Sequence, residues 1–218
     1  MDDSVRGIRF DERGLVPCVV QDWRTGEVLM LAYLDAEAIA RSRATGDMHF
    51  FSRSRGRLWR KGETSGNVQR LRELRYDCDC DAVVALVDPA GPACHTGERT
   101  CFYRALGDGA EPTVDGPGAT PPSPAPFEAL GALERVLAER DRDRPKGSYT
   151  ADLLADPPRI AAKVREEADE VARAAAAEGD DRIADEAADL IYHLAVLVRS
   201  RGLDLAGALE VLNDRRAR

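Results

Sequence analysis

The sequence predicts a multidomain chain, a β-rich α+β domain over residues 1–106 followed by an all-α helical bundle over residues 127–218. Three observations predict it. Residues 107–126 hold six Pro and four Gly with almost nothing apolar to anchor them, which is the composition of an interdomain linker. Before that segment the apolar runs are short and bounded by Gly, Asp and Pro turns, as strands are. After it, apolar residues recur at helical spacing.

In chain order, strands are predicted at Leu15–Val20, Val28–Tyr33, His49–Phe51 and Val83–Val87, with one helix over Asp35–Thr45. Cys18, inside the first of these strands, is expected to be buried packing, and His49 to be structural. In the second half, Leu130, Leu133, Val136 and Leu137 mark a first helix. Ile160, Val164 and Val171 mark a second, opened by Asp156-Pro157-Pro158. Ile183, Leu190, Ile191, Leu194 and Val198 mark a third, in which His193 is expected in the core or an interface.

The 218 residues are 44% hydrophobic and 32% charged, ordinary for globular domains, and no apolar run approaches the roughly 18 residues of a membrane span. The acidic Met1-Asp2-Asp3 start is unlike a signal peptide, which predicts a cytoplasmic protein. A net charge of -8 argues against nucleic acid as a partner, since such binding calls for a basic face. Cys18, Cys78, Cys80, Cys94 and Cys101 all precede residue 106, and in a reducing compartment such clustering favours metal over disulfides. Among 31 basic residues only Lys61, Lys146 and Lys163 are lysines, and all three fall in the motifs below.

The run Asp77-Cys78-Asp79-Cys80-Asp81, if extended, puts three aspartates on one face and two thiols on the other. Hard carboxylate oxygens suit Mg²⁺ and soft thiolates suit Zn²⁺. Further thiols stand in Pro92-Ala93-Cys94-His95-Thr96-Gly97-Glu98-Arg99-Thr100-Cys101, whose spacing matches no structural zinc ribbon. Three thiolates leave a fourth position open, the mark of catalytic zinc, and His95 is placed to move protons. Between these parts, Arg53, Arg55, Trp59, Lys61, Thr64, Ser65 and Asn67 lie in a basic, hydroxyl- and Gly-rich stretch that predicts a phosphate-binding turn.

The strings WRKGETSGN, DCDCDA and PACHTGERTCF, in this order, resemble phosphoribosyl-AMP cyclohydrolase over roughly residues 10–106. The resemblance implies Zn²⁺ on Cys78, Cys94 and Cys101, Mg²⁺ on Asp77, Asp79 and Asp81, and addition of water at the purine carbon next to N1. It also implies an intertwined dimer in which thiolates of both subunits complete the zinc site. The family motif is D-C-D-x-D, and its variable position here is Cys80, a second thiol that zinc can choose in place of Cys78, although the family uses Cys78.

Downstream, Glu167 with Glu170 and Glu186 with Asp189 are each three residues apart, so each pair shares one helix face, and antiparallel packing lets the faces converge on Mg²⁺. The set E-E-x-x-E then E-x-x-D, with Lys146-Gly147-Ser148-Tyr149 and Lys163 ahead of it, resembles phosphoribosyl-ATP pyrophosphohydrolase over roughly residues 127–216. That resemblance implies carboxylate-held Mg²⁺ that clamps a triphosphate, with Lys146 and Lys163 as phosphate contacts.

Together the halves imply a bifunctional hydrolase of histidine biosynthesis acting on phosphoribosyl nucleotides, a homodimer or higher homo-oligomer. The catalytic set is His95, Glu167, Glu170, Glu186 and Asp189. One alternative is a zinc nucleobase deaminase fused to a house-cleaning nucleotide pyrophosphatase, but the deaminase H-x-E with P-C-x-x-C is absent. Another is a metal-storing or nucleotide-sensing module without turnover.

Overall fold

The computed structural model describes residues 5–105 and 125–216. It resolves into two compact units, Met1–Ala125 and Pro126–Arg218. The Pro/Gly-rich segment 107–126 lies outside the described residues except for its last two.

The first unit is a six-stranded sheet with one helix: β1 (Val16–Asp22), β2 (Val28–Leu34), α1 (Ala36–Thr45), β3 (His49–Ser52), β4 (Arg57–Arg60), β5 (Gln69–Tyr76) and β6 (Val83–Pro89). Strand order is β4-β3-β2-β1-β6-β5, all neighbours antiparallel except β1 with β6. The segment before β3 reaches across to β5, with Met48 N donating to Gln69 O (2.9 Å) and Leu71 N to Gly46 O (2.7 Å), so the sheet curls into a half barrel. Inside the curl Phe50, Leu29, Leu34, Met48, Val16, Cys18 and Val20 are wholly buried. Each such apolar side chain contributes about 2 kcal/mol. Helix α1 begins at Asp35, whose carboxylate accepts from Ala38 N at 2.7 Å, and ends at Gly46 with φ 74°.

Four strands and α1 lie where alternation and caps predict them, whereas β4 and β5 carry weaker signals. In β5, Leu71 and Leu74 both pack on the core although three residues apart, which is helical spacing in a strand. A bulge between Leu71 and Glu73 causes it by shifting the pleat one residue. The segment Asp77–Asp81 is also not extended: it is the turn joining β5 to β6, with Asp77 N donating to Ala82 O (3.2 Å) and Cys80 at φ 65°. Face alternation therefore does not operate in the DCDCD run.

The second unit is all-helical: α2 (Glu128–Asp143), α3 (Tyr149–Leu154), α4 (Pro157–Ala177), α5 (Asp180–Arg199) and α6 (Leu205–Arg216). Asp156 caps α4, accepting from Arg159 N at 3.2 Å with Pro157 in the first turn, an arrangement worth about 1 kcal/mol. It opens the third helix of the unit rather than the second, because the short α3 intervenes. Helices α4 and α5 form a hairpin joined through Glu178 and Gly179. Leu137, Leu153, Leu154, Ile160, Ala195 and Val196 form the core. Leu130, Val136, Ile191 and Leu194, apolar positions of the same helical pattern, stay 39–46% exposed in the single chain. Among the described residues no helix is long and apolar enough to cross a membrane.

Candidate active sites

In the first unit, the turn after β4 and the loop following β6 face each other across a cavity of about 460 Å³. One wall carries Arg55, Trp59, Lys61, Thr64, Ser65 and Asn67, the other Cys94, His95 and Cys101. Trp59 leans on Phe50 (centroids 5.4 Å apart) and Arg55 lies over its ring at 5.8 Å, so the indole is wedged at the rim. Arg53 is not in this cavity: its guanidinium sits 3.9 Å over the Tyr33 ring and borders a separate open hollow with Arg13 and Ser54.

The thiol loop is tied by Cys94 N to Glu98 O (3.1 Å) and Gly97 N to Cys94 O (3.3 Å), and Cys101 N donates to Leu29 O (2.8 Å) on β2. The Thr96 hydroxyl donates to Cys94 Sγ at 3.1 Å, and His95 Nδ1 lies 3.9 Å from the same sulfur. Burial alone raises the Cys94 thiol, but the Thr96 hydroxyl and N–H, Cys101 and the His95 N–H outweigh it and bring it below the ordinary thiol value. Cys101 moves the other way, to about 11, through burial and then the neighbouring Cys94. Lys61 is buried and held below the usual lysine value by desolvation, against the pull of Cys101 and Cys94. Two converging thiols beside an ammonium fit a thiophilic cation such as zinc.

The three aspartates meet through the turn. Their oxygens lie within 4.8 Å of one another at Asp77, Asp79 and Asp81, all exposed. Asp77 Oδ1 accepts from Asp81 N (3.0 Å) and Ala82 N (3.1 Å), and the Ala82 bond above all holds its carboxyl below the usual carboxylate pKa, while Asp79 and then burial push the Asp81 carboxyl up. An oxygen trio of this kind fits Mg²⁺. Cys78 is exposed on the turn, and among the described residues it is not grouped with Cys94 and Cys101 at ligand spacing within one chain.

In the second unit Glu167 of α4 and Glu186 and Asp189 of α5 bring carboxylate oxygens within 4.8 Å of one another, and the two glutamates are buried. Glu170 stands outside that trio, 3.5 Å from Arg173 and hydrogen-bonded to Glu186. Glu186 is held above the usual carboxylate value by burial first and Glu170 second, opposed by its ion pair with Arg182. Lys163 Nζ bridges Glu166 (2.9 Å) and Glu167 (3.0 Å), which holds its ammonium above the usual lysine pKa. Three crowded carboxylates fit a hard divalent cation that offsets their repulsion. Lys146 is exposed on the turn that leads through the Ser148 cap into α3.

His193, expected only to pack, is buried but touches this cluster. Its Nδ1 lies 2.9 Å from Asp189 O and 3.6 Å from Glu167 Oε1, and its Nε2 lies 3.2 Å from the Tyr149 hydroxyl. The signal was available in the spacing, because residues 186, 189 and 193 fall on one stripe of α5.

Both units resemble known protein families. The family described as phosphoribosyl-AMP cyclohydrolase matches residues 30–103, and that described as phosphoribosyl-ATP pyrophosphohydrolase matches residues 130–216. A histidine biosynthesis bifunctional protein HisIE of Bacillus subtilis (strain 168) is 44% identical over 209 residues, 95% of this chain and 94% of that protein. One of the same name from Thermus thermophilus is 48% identical over 210 residues, 94% and 92% of the respective chains. The protein of that name from Xanthomonas campestris pv. campestris is 45% identical over 93% of this chain and 89% of its own.

Proposed function

The chain belongs to the family of bifunctional histidine biosynthesis proteins that join a phosphoribosyl-AMP cyclohydrolase region to a phosphoribosyl-ATP pyrophosphohydrolase region, and from that premise we propose how its two sites divide the work. The second unit hydrolyses phosphoribosyl-ATP to phosphoribosyl-AMP and pyrophosphate. The first unit then opens the adenine ring of that product. The observation that carries the reading is the presence in one chain of a thiol-bearing cavity and a separate trio of carboxylate oxygens within 4.8 Å. We assign residues 1–106 to ring opening and 127–218 to pyrophosphate release, with 107–126 as linker.

In the ring-opening site, Cys94 and Cys101 would hold Zn²⁺ with Cys78 supplied by a second copy, since one chain does not bring Cys78 to them. This is the reason to propose a homodimer. Cys78 is exposed, whereas Cys80 is half-buried, at φ 65°, with its carbonyl held by Arg9 N at 2.7 Å, which favours Cys78 over Cys80 as ligand. Bound zinc would make the attacking water more acidic. His95, at the cavity wall beside Cys94, takes the proton of the attacking water and returns one to N1 as the ring C–N bond breaks, so no ammonia leaves. Arg55, Lys61, Thr64, Ser65 and Asn67 bind the phosphoribosyl groups, Trp59 offers an aromatic face at the rim, and Arg53 gives a phosphate contact outside the cavity. Asp77, Asp79 and Asp81 would hold Mg²⁺.

In the pyrophosphohydrolase site, Glu167, Glu186 and Asp189 would hold Mg²⁺, with Glu170 beside Glu186 as a further carboxylate, and the cation would offset triphosphate charge as pyrophosphate departs. Lys163 then exchanges carboxylates for phosphate oxygens, and Lys146 meets the nucleotide from the turn before α3. The compartment we assign is the cytoplasm.

The test is product analysis with purified protein, Zn²⁺ and Mg²⁺. Phosphoribosyl-ATP should yield pyrophosphate and a ring-opened nucleotide without ammonia. Ammonia released from an adenine or cytosine nucleotide, with phosphoribosyl-AMP left intact, would reject the assignment.

A further inference from the structure

Arg99 lies in the loop between Cys94 and Cys101, yet its side chain does not line their cavity. Its guanidinium is turned onto two carboxylates of the β1–β2 hairpin. Nη2 pairs with Asp22 Oδ2, and Nε and Nη2 stand 3.3 and 3.2 Å from Glu27 Oε2. Both acids are buried, at 4% and 8% exposure. They are also fixed by the hairpin itself: Asp22 Oδ1 accepts from Arg24 N (2.7 Å) and Thr25 N (3.0 Å), and Glu27 Oε2 from the Thr25 hydroxyl (3.0 Å).

The main chain around Arg99 ties both thiols to this anchor. On the Cys94 side, Ala93 N donates to Arg99 O and Cys94 N to Glu98 O, each at 3.1 Å. On the Cys101 side, the Thr100 hydroxyl donates to Val28 O (2.7 Å) and Cys101 N to Leu29 O (2.8 Å). The guanidinium is thus the charged side-chain tether, beside the Thr100 hydroxyl, of a loop whose two limbs carry one thiol each, fastened to a hairpin that carries neither. A planar fork that meets two fixed carboxylates constrains direction as well as distance, which a point charge does not.

We propose that Arg99 is a positioning residue of the ring-opening site, its clamp on Asp22 and Glu27 setting the separation and aim of the Cys94 and Cys101 sulfurs and so their affinity for a thiophilic cation. The inference rests on the reading of Cys94 and Cys101 as metal thiolates. Groups that orient metal ligands from behind typically contribute about 10- to 100-fold in metal affinity.

The experiment titrates Cd²⁺ into the full chain after zinc removal, following the ultraviolet charge-transfer absorption of Cd–S bonds, in wild type and in Arg99→Lys, which keeps the charge and loses the fork. Arg99→Lys should bind Cd²⁺ about tenfold more weakly and lower kcat for ring opening, with KM for phosphoribosyl-AMP little changed and pyrophosphate release at the wild-type rate. Cd²⁺ affinity and ring-opening kcat both within twofold of wild type, whatever happens to the melting temperature, would leave Arg99 a folding residue and overturn the proposal. If Arg99→Lys is insoluble, Glu27→Gln carries the same reading, with at least a threefold loss of Cd²⁺ affinity expected and no loss overturning it. A Cd–S band that persists undiminished in Cys94→Ser would sink the thiolate reading instead, so the two failures are distinguishable.

Discussion

Asn67 Oδ1 lies so close over Gly91 that a methyl group there would overlap it and stand 3.0 Å from Asn67 Cγ. Gly91 thereby sets the position of a cavity residue from behind. Gly91→Ala should push the amide into the cavity and lower kcat/KM for ring opening about tenfold, the size of a 1–2 kcal/mol overpacking strain, with pyrophosphate release unchanged. The double variant Asn67→Ala, Gly91→Ala should be no worse than Asn67→Ala alone. Additive losses would show that Gly91 acts elsewhere.

The two chemistries should separate by mutation, because no residue is shared between the thiol cavity and the carboxylate trio. Cys94→Ser is expected to abolish ring opening and spare pyrophosphate release, and Glu186→Gln to do the reverse, each by at least about 100-fold. Assays of both reactions on both variants check this. Retention of both activities in both would remove the site assignments.

Glu186 also predicts a pH effect in metal-free protein. A carboxyl held above its ordinary value of 4.5 stabilises the fold fully only below that pH, and the contribution is lost as pH rises through the higher folded value. At neutral pH Glu186→Gln should therefore melt above wild type, with the gap closing as pH approaches 4.5. Mg²⁺ should raise the wild-type melting temperature more than that of the variant. A gap that is constant with pH would contradict the crowding argument.

Thiol reactivity in metal-stripped protein should follow the local electrostatics. Cys94, brought down chiefly by Thr96 against its own burial, should alkylate before Cys101, which is pushed up to about 11. Thr96→Val should slow Cys94 several-fold by removing the 3.1 Å hydroxyl donor. Peptide mapping after timed iodoacetamide exposure reads the order directly, and an unchanged Cys94 rate in Thr96→Val would contradict it.

Cys18 is buried in β1 and pushed up to about 12 from an ordinary 9 by desolvation. A group raised on folding stabilises below its unfolded value and loses that contribution as pH climbs to the folded one, so the window is 9 to 12. Between pH 8 and about 10.5 wild type should lose about 2 kcal/mol that Cys18→Ala does not lose, a difference in slope that stands apart from the cavity cost of the alanine. Denaturant titrations at the two pH values measure it, and equal slopes would refute it.

Much of this protein is written locally. Four strands alternate, α1 and α4 carry Asp caps at Asp35 and Asp156, and the acids of α4 and α5 sit at helical spacing, so periodicity alone placed Glu167, Glu186 and Asp189 on facing stripes. The thiols and aspartates stand out in the sequence as candidate metal ligands because few other uses explain Cys and Asp at those spacings.

Other features depended on what the chain meets after it folds. The bulge at Leu71/Glu73 gives β5 a helical apolar period, and the turn at Asp77–Asp81 gathers the aspartates by hydrogen bonding rather than by pleat. Lys61 meets Cys94 and Cys101 at one cavity although they lie more than thirty residues on, and among the described residues Cys78 is not grouped with them at ligand spacing within one chain. Arg99 finds Asp22 and Glu27 more than seventy residues away, a pairing for which no local pattern exists. The sequence by itself determined the residue chemistry and the elements that carry it, because side-chain type and backbone periodicity are local properties. Only the tertiary structure decided which groups converge, because convergence is set by register, bulges and buried ion pairs between segments distant in the chain.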